Sequence, residues 1–348
     1  MIRRLDDRGY LYFMDYTGDY YDPELVQYLK EITAARAGCS GFLTHNENGD
    51  VLTCRNYDMG HRVSADDPTV TGLNVILHCK PAGKYESIGV ADAVWVKPFD
   101  PLCQAGGLEK EGFTSKLFRS LPYLSVDGVN EKGLSVTTLK VDIKGGDQPA
   151  RERMAPGFFL RHLLDDCANV AEAVELAQNG EVKSEGWQDC HFFVSDANGD
   201  SVLLESRNGQ LYVVSTDIAT NFFQCSTDIE DSYLSDGVLR EKAVYMTGLG
   251  ENRYTYGYGH GYHRFVSIQT QLEMHRDLSS EAYRTIMPED RALVILRSVA
   301  QNACTKAVGF SFTQCSAIYN NTAKTLKVWP FQDYSKGFCF DVTGKELP

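Results

Sequence analysis

Residues 38–59 read GCSGFLTHNENGDVLTCRNYDM, and the fold is decided there. GFLTHN and VLTCRNY are two short runs separated by NENGD. Asn48-Gly49 inside that loop is a strong hairpin signal, because both residues tolerate the positive φ that tight turns demand. A β-hairpin is therefore expected to begin at Cys39. Pairing about such a turn sets residue i opposite roughly 97 minus i, which returns the Arg55 to Asp58 end beside Cys39. Arg55 follows Cys39 by 16 residues and Asp58 follows it by 19. A guanidinium near a thiol lowers its pKa and raises the thiolate fraction, and a carboxylate can hold a nearby amine. A cysteine alone is more often a small core hydrophobe, so the spacing suggests a nucleophile without establishing one.

Upstream, residues 1–38 hold 6 of the 19 tyrosines, and the first 21 show little periodicity. This opening segment reads as an appendage, either a cover over the site or a docking arm. Within it, Asp22-Pro23-Glu24 supplies an N-cap, a first-turn proline and an early acid, and Leu25, Leu29 and Ile32 follow at helical spacing to Arg36. Downstream, strands are expected at 73–79, 87–96 and 133–141, the last after the turn-like DGVNEKG. Three more at 190–215 are joined by Asn198-Gly199 and Asn208-Gly209, and a closing hairpin spans 310–331. Helical periodicity marks 157–179 in two pieces, 263–276, and 288–302, which opens on Pro288-Glu289-Asp290. Hairpins and helices come in blocks. Strict βαβα alternation is missing, which argues against a parallel Rossmann-type sheet and for stacked antiparallel sheets with helices outside.

The 348 residues carry 34 Lys+Arg against 47 Asp+Glu, a net charge of −13, and 43% are apolar. Such a chain lacks the basic face that nucleic-acid binders need, and anionic membranes repel it. Neither a signal-peptide core nor a run of transmembrane length is evident. Ten cysteines without a C-x-x-C pair argue against zinc and redox sites and for reduced thiols in the cytoplasm. Metal and cofactor are both expected to be absent. The familiar G-x-S-x-G, H-E-x-x-H and Walker patterns do not occur. YTYGYGHGYH at 254–263 lacks the phosphate-binding glycine spacing and reads as a flexible aromatic loop. Its His260 and His263 have no cysteine or carboxylate company.

G-C-S-G-F at 38–42, R-N-Y-D at 55–58 and D-G-V-N-E-K-G-L at 127–134 resemble the choloylglycine hydrolase family of N-terminal-nucleophile hydrolases, which includes bile salt hydrolases and penicillin V acylases. Thr220-Asn221 after the meander, His263-Arg264-Phe265 at a helix start and Tyr319-Asn320 in the closing hairpin continue the likeness in order. The resemblance implies an α+β fold, a four-layer αββα sandwich of two stacked antiparallel sheets. It further implies a prosegment over 1–38 that is removed and one catalytic domain over 39–348. Cys39 would be the nucleophile once the Gly38-Cys39 bond is cut, and its α-amine the general base. Asn221 would donate to the oxyanion, Asp58 would orient the amine, and Arg55 and Arg264 would tune the thiol. Lys140 stands where the family often has Asn or Tyr on the substrate side. It either binds an acidic leaving group or points into solvent. The implied partner is a small acyl amide, such as a bile-salt-like, penicillin-V-like or fatty-acyl conjugate, cleaved through a thioester. Acyl transfer to an amine, a catalytically idle ligand-binding role and the state of any homo-oligomer stay open at this point.

Overall fold

The computed structural model describes residues 2–7, 11–18, 20, 37–59, 73–93, 120–141, 156–179, 190–207, 210–225, 258–279, 284–305 and 309–348. The helix expected over 22–36 and the Asn208-Gly209 turn lie outside them. Along the first sheet run β1 (Ile2–Arg4), β2 (Leu11–Thr17), β5 (Asn74–Lys80), β6 (Ser87–Asp92), β7 (Ser125–Asn130), β8 (Ser135–Lys140), β9 (Cys190–Ser195), β10 (Ser201–Arg207) and β11 (Gln210–Ser215), which are neighbours in that order. The second sheet is ordered β12 (Ile218–Ala219), β3 (Ala37–His45), β4 (Val51–Met59), β14 (Gly309–Asn320), β15 (Thr325–Pro330), β16 (Phe338–Asp341) and β17 (Glu346–Leu347), with β13 (Asn302–Thr305) also paired to β14. The described helices are α1 (Pro156–Asp166), α2 (Val170–Asn179), α3 (Tyr258–Glu273) and α4 (Glu289–Ser298).

Three apolar clusters define four layers. Leu43, Tyr57, Ile76, Val129, Phe193, Ala317 and Val328 meet between the sheets. Phe159, Leu163 and Ala173 of α1 and α2 pack on Val136, Phe192 and Leu204 of the first sheet. On the far side, Ile268, Leu272, Ile295 and Leu296 of α3 and α4 cover Phe42, Cys54 and Ile318 of the second. Each sheet is thus buried on both faces, as the αββα sandwich requires.

The hairpin forms as expected. Cys39 pairs with Tyr57 and Gly41 with Arg55, so partners sum to 96 (39 + 57), one less than the turn position suggests. Gly49 takes φ +87° in the turn, and its N–H is bound to the Asn46 carbonyl. The strands at 190–215 and 310–331 also appear, with Gly199 at φ +90° in the Asn198-Gly199 turn.

Three expectations fail. Residues 11–17 form no appendage: β2 lies inside the first sheet, parallel to β5 from Leu11↔Asn74 to Thr17↔Lys80, with Leu11 and Tyr12 fully buried. Both of its faces are covered, so LYFM shows no alternation to read. Tyr20 extends the anchorage, donating to Asp165 Oδ2 at 2.6 Å while its carbonyl accepts from the Tyr123 hydroxyl at 2.5 Å. Second, DGVN is strand β7 rather than turn. A Cβ on Gly89 would run into the Asp127 carbonyl oxygen, and one on Gly128 would lie 2.7 Å from Leu164, so these glycines serve close packing. Third, residues 258–263 open helix α3 instead of continuing a loop. Gly261 allows the close approach, since a Cβ there would stand 3.2 Å from the backbone of Asn221.

Candidate active site

Cys39 stands one third of the way along β3, and its two arginines approach from different layers. Cys39 and Tyr57 face the core between the sheets. Arg55, two residues before Tyr57 on β4, points the same way. Its Nη2 lies 3.7 Å from the Cys39 Sγ, and its Nε forms an ion pair at 2.5 Å with Asp127 Oδ2 of β7, across the sandwich. Asp127 also accepts the Tyr319 hydroxyl and, at 3.1 Å, the Val90 N–H. Arg55 and Asp127 are fully buried.

Asp58, one residue on from Tyr57, faces the helix layer. Its Oδ1 accepts the Thr313 hydroxyl at 2.6 Å, and its Oδ2 accepts Gln301 Nε2 at 3.0 Å and Arg264 Nη1 at 3.3 Å. From α3, the same Arg264 donates to the Cys39 carbonyl at 2.6 Å and to Asn221 Oδ1. Asn221 completes the ring: its Oδ1 receives the Cys39 N–H at 2.7 Å, and its Nδ2 donates to the Lys140 carbonyl at 2.7 Å. Cys39, Arg55, Asp58, Asn221 and Arg264 therefore meet around one residue. It is Asn221, not the Asp58 carboxylate, that holds the Cys39 nitrogen. Asn221 Nδ2 spends one hydrogen on Lys140 and keeps a second to donate. Lys140 enters the site through its backbone carbonyl, on a half-buried residue. The Gly38-Cys39 bond runs within β3, with Gly38 opposite Asp58.

Burial dominates the electrostatics. It pushes the Cys39 thiol above its usual range, while the Arg55 guanidinium pulls in the expected, acidifying direction without prevailing. Desolvation outweighs one guanidinium at a side chain only 2% exposed. Burial likewise raises Asp58 to about 6, with Arg264 and the Thr313 hydroxyl opposing it, and lowers Arg264. Reading the sequence missed Asp127, Thr313 and Gln301. Only Asp127 lay in a quoted motif.

A thiol, two guanidiniums, a carboxylate and an amide converge at Cys39, between two stacked sheets with helices outside, and this sandwich is the N-terminal-nucleophile hydrolase fold. The chain is similar in structure to a cysteine-to-alanine mutant of conjugated bile acid hydrolase from Clostridium perfringens (TM-score 0.54, 16% identity, 89% of this chain and 96% of that chain covered). It is also similar to penicillin V acylase from Agrobacterium tumefaciens (TM-score 0.51, 18% identity, 88% and 86% covered). Among curated proteins none matches. The family model described as linear amide C-N hydrolases, choloylglycine hydrolase family, matches residues 39–224, more than half of the chain, which therefore belongs to that family. Its matched span begins at Cys39. Among the described residues no helix is long and apolar enough to cross a membrane.

Proposed function

We propose that the chain is an N-terminal cysteine amidohydrolase that hydrolyses a linear amide between an apolar acyl group and a small amine or amino acid. The observation that carries this reading is the Asn221 Oδ1 to Cys39 N contact of 2.7 Å, made while Arg55 stands 3.7 Å from the Sγ. Nucleophile and future amine are held by separate groups before any cut is made.

Processing begins with attack of the Cys39 thiol on the Gly38 carbonyl carbon. The C–N bond breaks, the amine takes a proton, and a thioester links Gly38 to Sγ. Water then cleaves that thioester, leaving a Gly38 carboxylate and a free Cys39 thiol and α-amine. An α-amine ordinarily titrates at about 7.7 to 8.0, so near neutral pH it can accept the thiol proton and later pass it to a leaving amine. In turnover the thiolate attacks the substrate carbonyl, the remaining Asn221 N–H donates to the oxyanion, and water hydrolyses the acyl thioester. Arg264 and Asn221 keep the amine in place, Asp58 holds Arg264, and Arg55 favours the thiolate. The two enzymes similar in fold act, by their names, on conjugated bile acid and penicillin V, which supports acyl amides as the substrate class. Free thiols at eight cysteines support a reducing, cytoplasmic setting.

Intact mass of wild type and Cys39→Ala protein tests the processing: wild type is expected to yield a 39–348 chain and the variant is not. If both retain all 348 residues in one chain, self-processing is wrong. A mass-spectrometric screen of bile, β-lactam and fatty-acyl conjugates, with and without added amine, identifies the substrate and separates hydrolysis from acyl transfer.

A further inference from the structure

Strands β9 and β10 place His191 directly opposite Glu205, and both are fully buried. Alternation along β9 puts His191 on the same face as Phe193, a member of the core between the sheets. A polar pair there is out of character with its neighbours, and its hydrogen bonds show what it serves. Glu205 Oε1 accepts His191 Nδ1 at 2.9 Å and the Gln224 N–H at 2.9 Å, while its Oε2 accepts the Cys225 N–H at 2.7 Å. His191 Nε2 lies 2.8 Å from the Thr220 carbonyl oxygen. A carbonyl only accepts, so His191 donates from Nε2 to Thr220, and its Nδ1 shares a hydrogen bond with the Glu205 carboxyl group.

The pair therefore pins residues 220–225 at both ends, Thr220 through His191 and Gln224-Cys225 through Glu205. The Thr220 hydroxyl adds a bond to the Gly261 carbonyl at 2.8 Å, tying the same segment to α3. Asn221, which grips the Cys39 nitrogen, sits between the pins. The segment emerges from β12, which pairs with β3 in the second sheet, whereas its pins belong to the first.

We propose that His191 and Glu205 are positioning residues for the reaction: a strut across the sandwich that fixes the backbone on which Asn221 meets the nucleophile's amine. The proposal rests on the reading of Cys39 and Asn221 given above. A buried polar or ionic pair adds little stability over an apolar pair of equal volume, so its bonds to this one segment point to placement as its purpose. Neither side chain reaches Cys39, and both act through Asn221.

The test measures alkylation of Cys39 by iodoacetamide as a function of pH, together with thermal melting, in wild type, His191→Phe, His191→Gln, Glu205→Gln and Asp165→Asn. The last variant breaks a buried cluster outside the site and reports the effect of lost stability alone. His191→Phe and Glu205→Gln are expected to slow Cys39 alkylation at least tenfold at 25 °C and to displace its pH profile. His191→Gln, whose amide can still donate to Thr220, should recover most of the rate. Asp165→Asn should melt earlier with the wild-type profile. Profiles of the His191 and Glu205 variants that superimpose on wild type would overturn the strut and leave the functional reading standing. A wild-type Cys39 no more reactive than Cys54 would overturn both.

Discussion

Replacing Asp127 by Asn removes one negative charge from the centre of the sandwich while hardly changing shape. The new amide can still accept the Tyr319 hydroxyl and the Val90 N–H through its oxygen. Its NH2, however, takes the place of an oxygen 2.5 Å from Arg55 Nε, setting donor against donor. Arg55 is then a fully buried cation facing a buried thiol. Breaking such a pair from one side typically costs about 3–5 kcal/mol, a large part of the roughly 5–15 kcal/mol that holds a domain folded. With a urea m-value of about 3 kcal/mol/M, the midpoint should fall by about 1–1.7 M. Arg55→Met costs less, because the stranded Asp127 carboxyl can take up a proton and keep the Tyr319 and Val90 bonds. The double variant should then be more stable than the sum of the single losses by about 2 kcal/mol or more. Urea melts of the four proteins on a Cys39→Ala background keep every molecule in one covalent state. A loss below about 1 kcal/mol for Asp127→Asn, or strict additivity, would refute the view that Asp127 compensates Arg55.

Further outcomes are expected elsewhere in the site. Asp58 titrates near 6 when folded against 3.8 ordinarily. The folded chain thus binds more protons in that window, and stability should fall as pH rises from about 4 to 6, then level off, by about 3 kcal/mol at 1.36 kcal/mol per unit. Wild type minus Asp58→Asn in pH-dependent melts isolates this slope, and a flat difference counts against it. Asn221→Ala should fold normally yet process at least a hundredfold more slowly by intact mass; unchanged kinetics would remove Asn221 from the mechanism. Gly261→Ala inserts a Cβ 3.2 Å from the Asn221 backbone. It is expected to leave melting within a few degrees while slowing processing about tenfold, and a wild-type rate would show that α3 does not set Asn221.

The hairpin was legible because its register depends on a local turn, and Asn48-Gly49 announces that turn within a dozen residues of everything it aligns. Cys39, Arg55 and Asp58 inherit their closeness from it. Asn221 and Arg264 carried no local signal of chemistry and were reachable only through family likeness. Thr313 and Gln301, which meet the Asp58 carboxylate from 255 and 243 residues away, leave no mark near Asp58. Composition misled where side chains were chosen for the site or for packing. Asp127, Gly128 and Asn130 look like turn residues but stand in a central strand, and Gly261 looks like a helix breaker but lets a helix touch Asn221. β2 was hidden because its partner β5 is parallel and distant, so no turn connects them.

That strand bears on what a cut at residue 38 does to the molecule. β1 and β2 cap the open edge of β5, whose backbone would otherwise offer a row of unpaired groups to any passing strand. Severing the chain between Gly38 and Cys39 removes a covalent link but none of the ladder bonds from Leu11 to Thr17. Stripping the first segment away would further require leaving the β5 edge bare and the Asp165 carboxylate without its tyrosine. The N-terminal piece thus occupies a sheet edge that would otherwise be open to pairing with another chain.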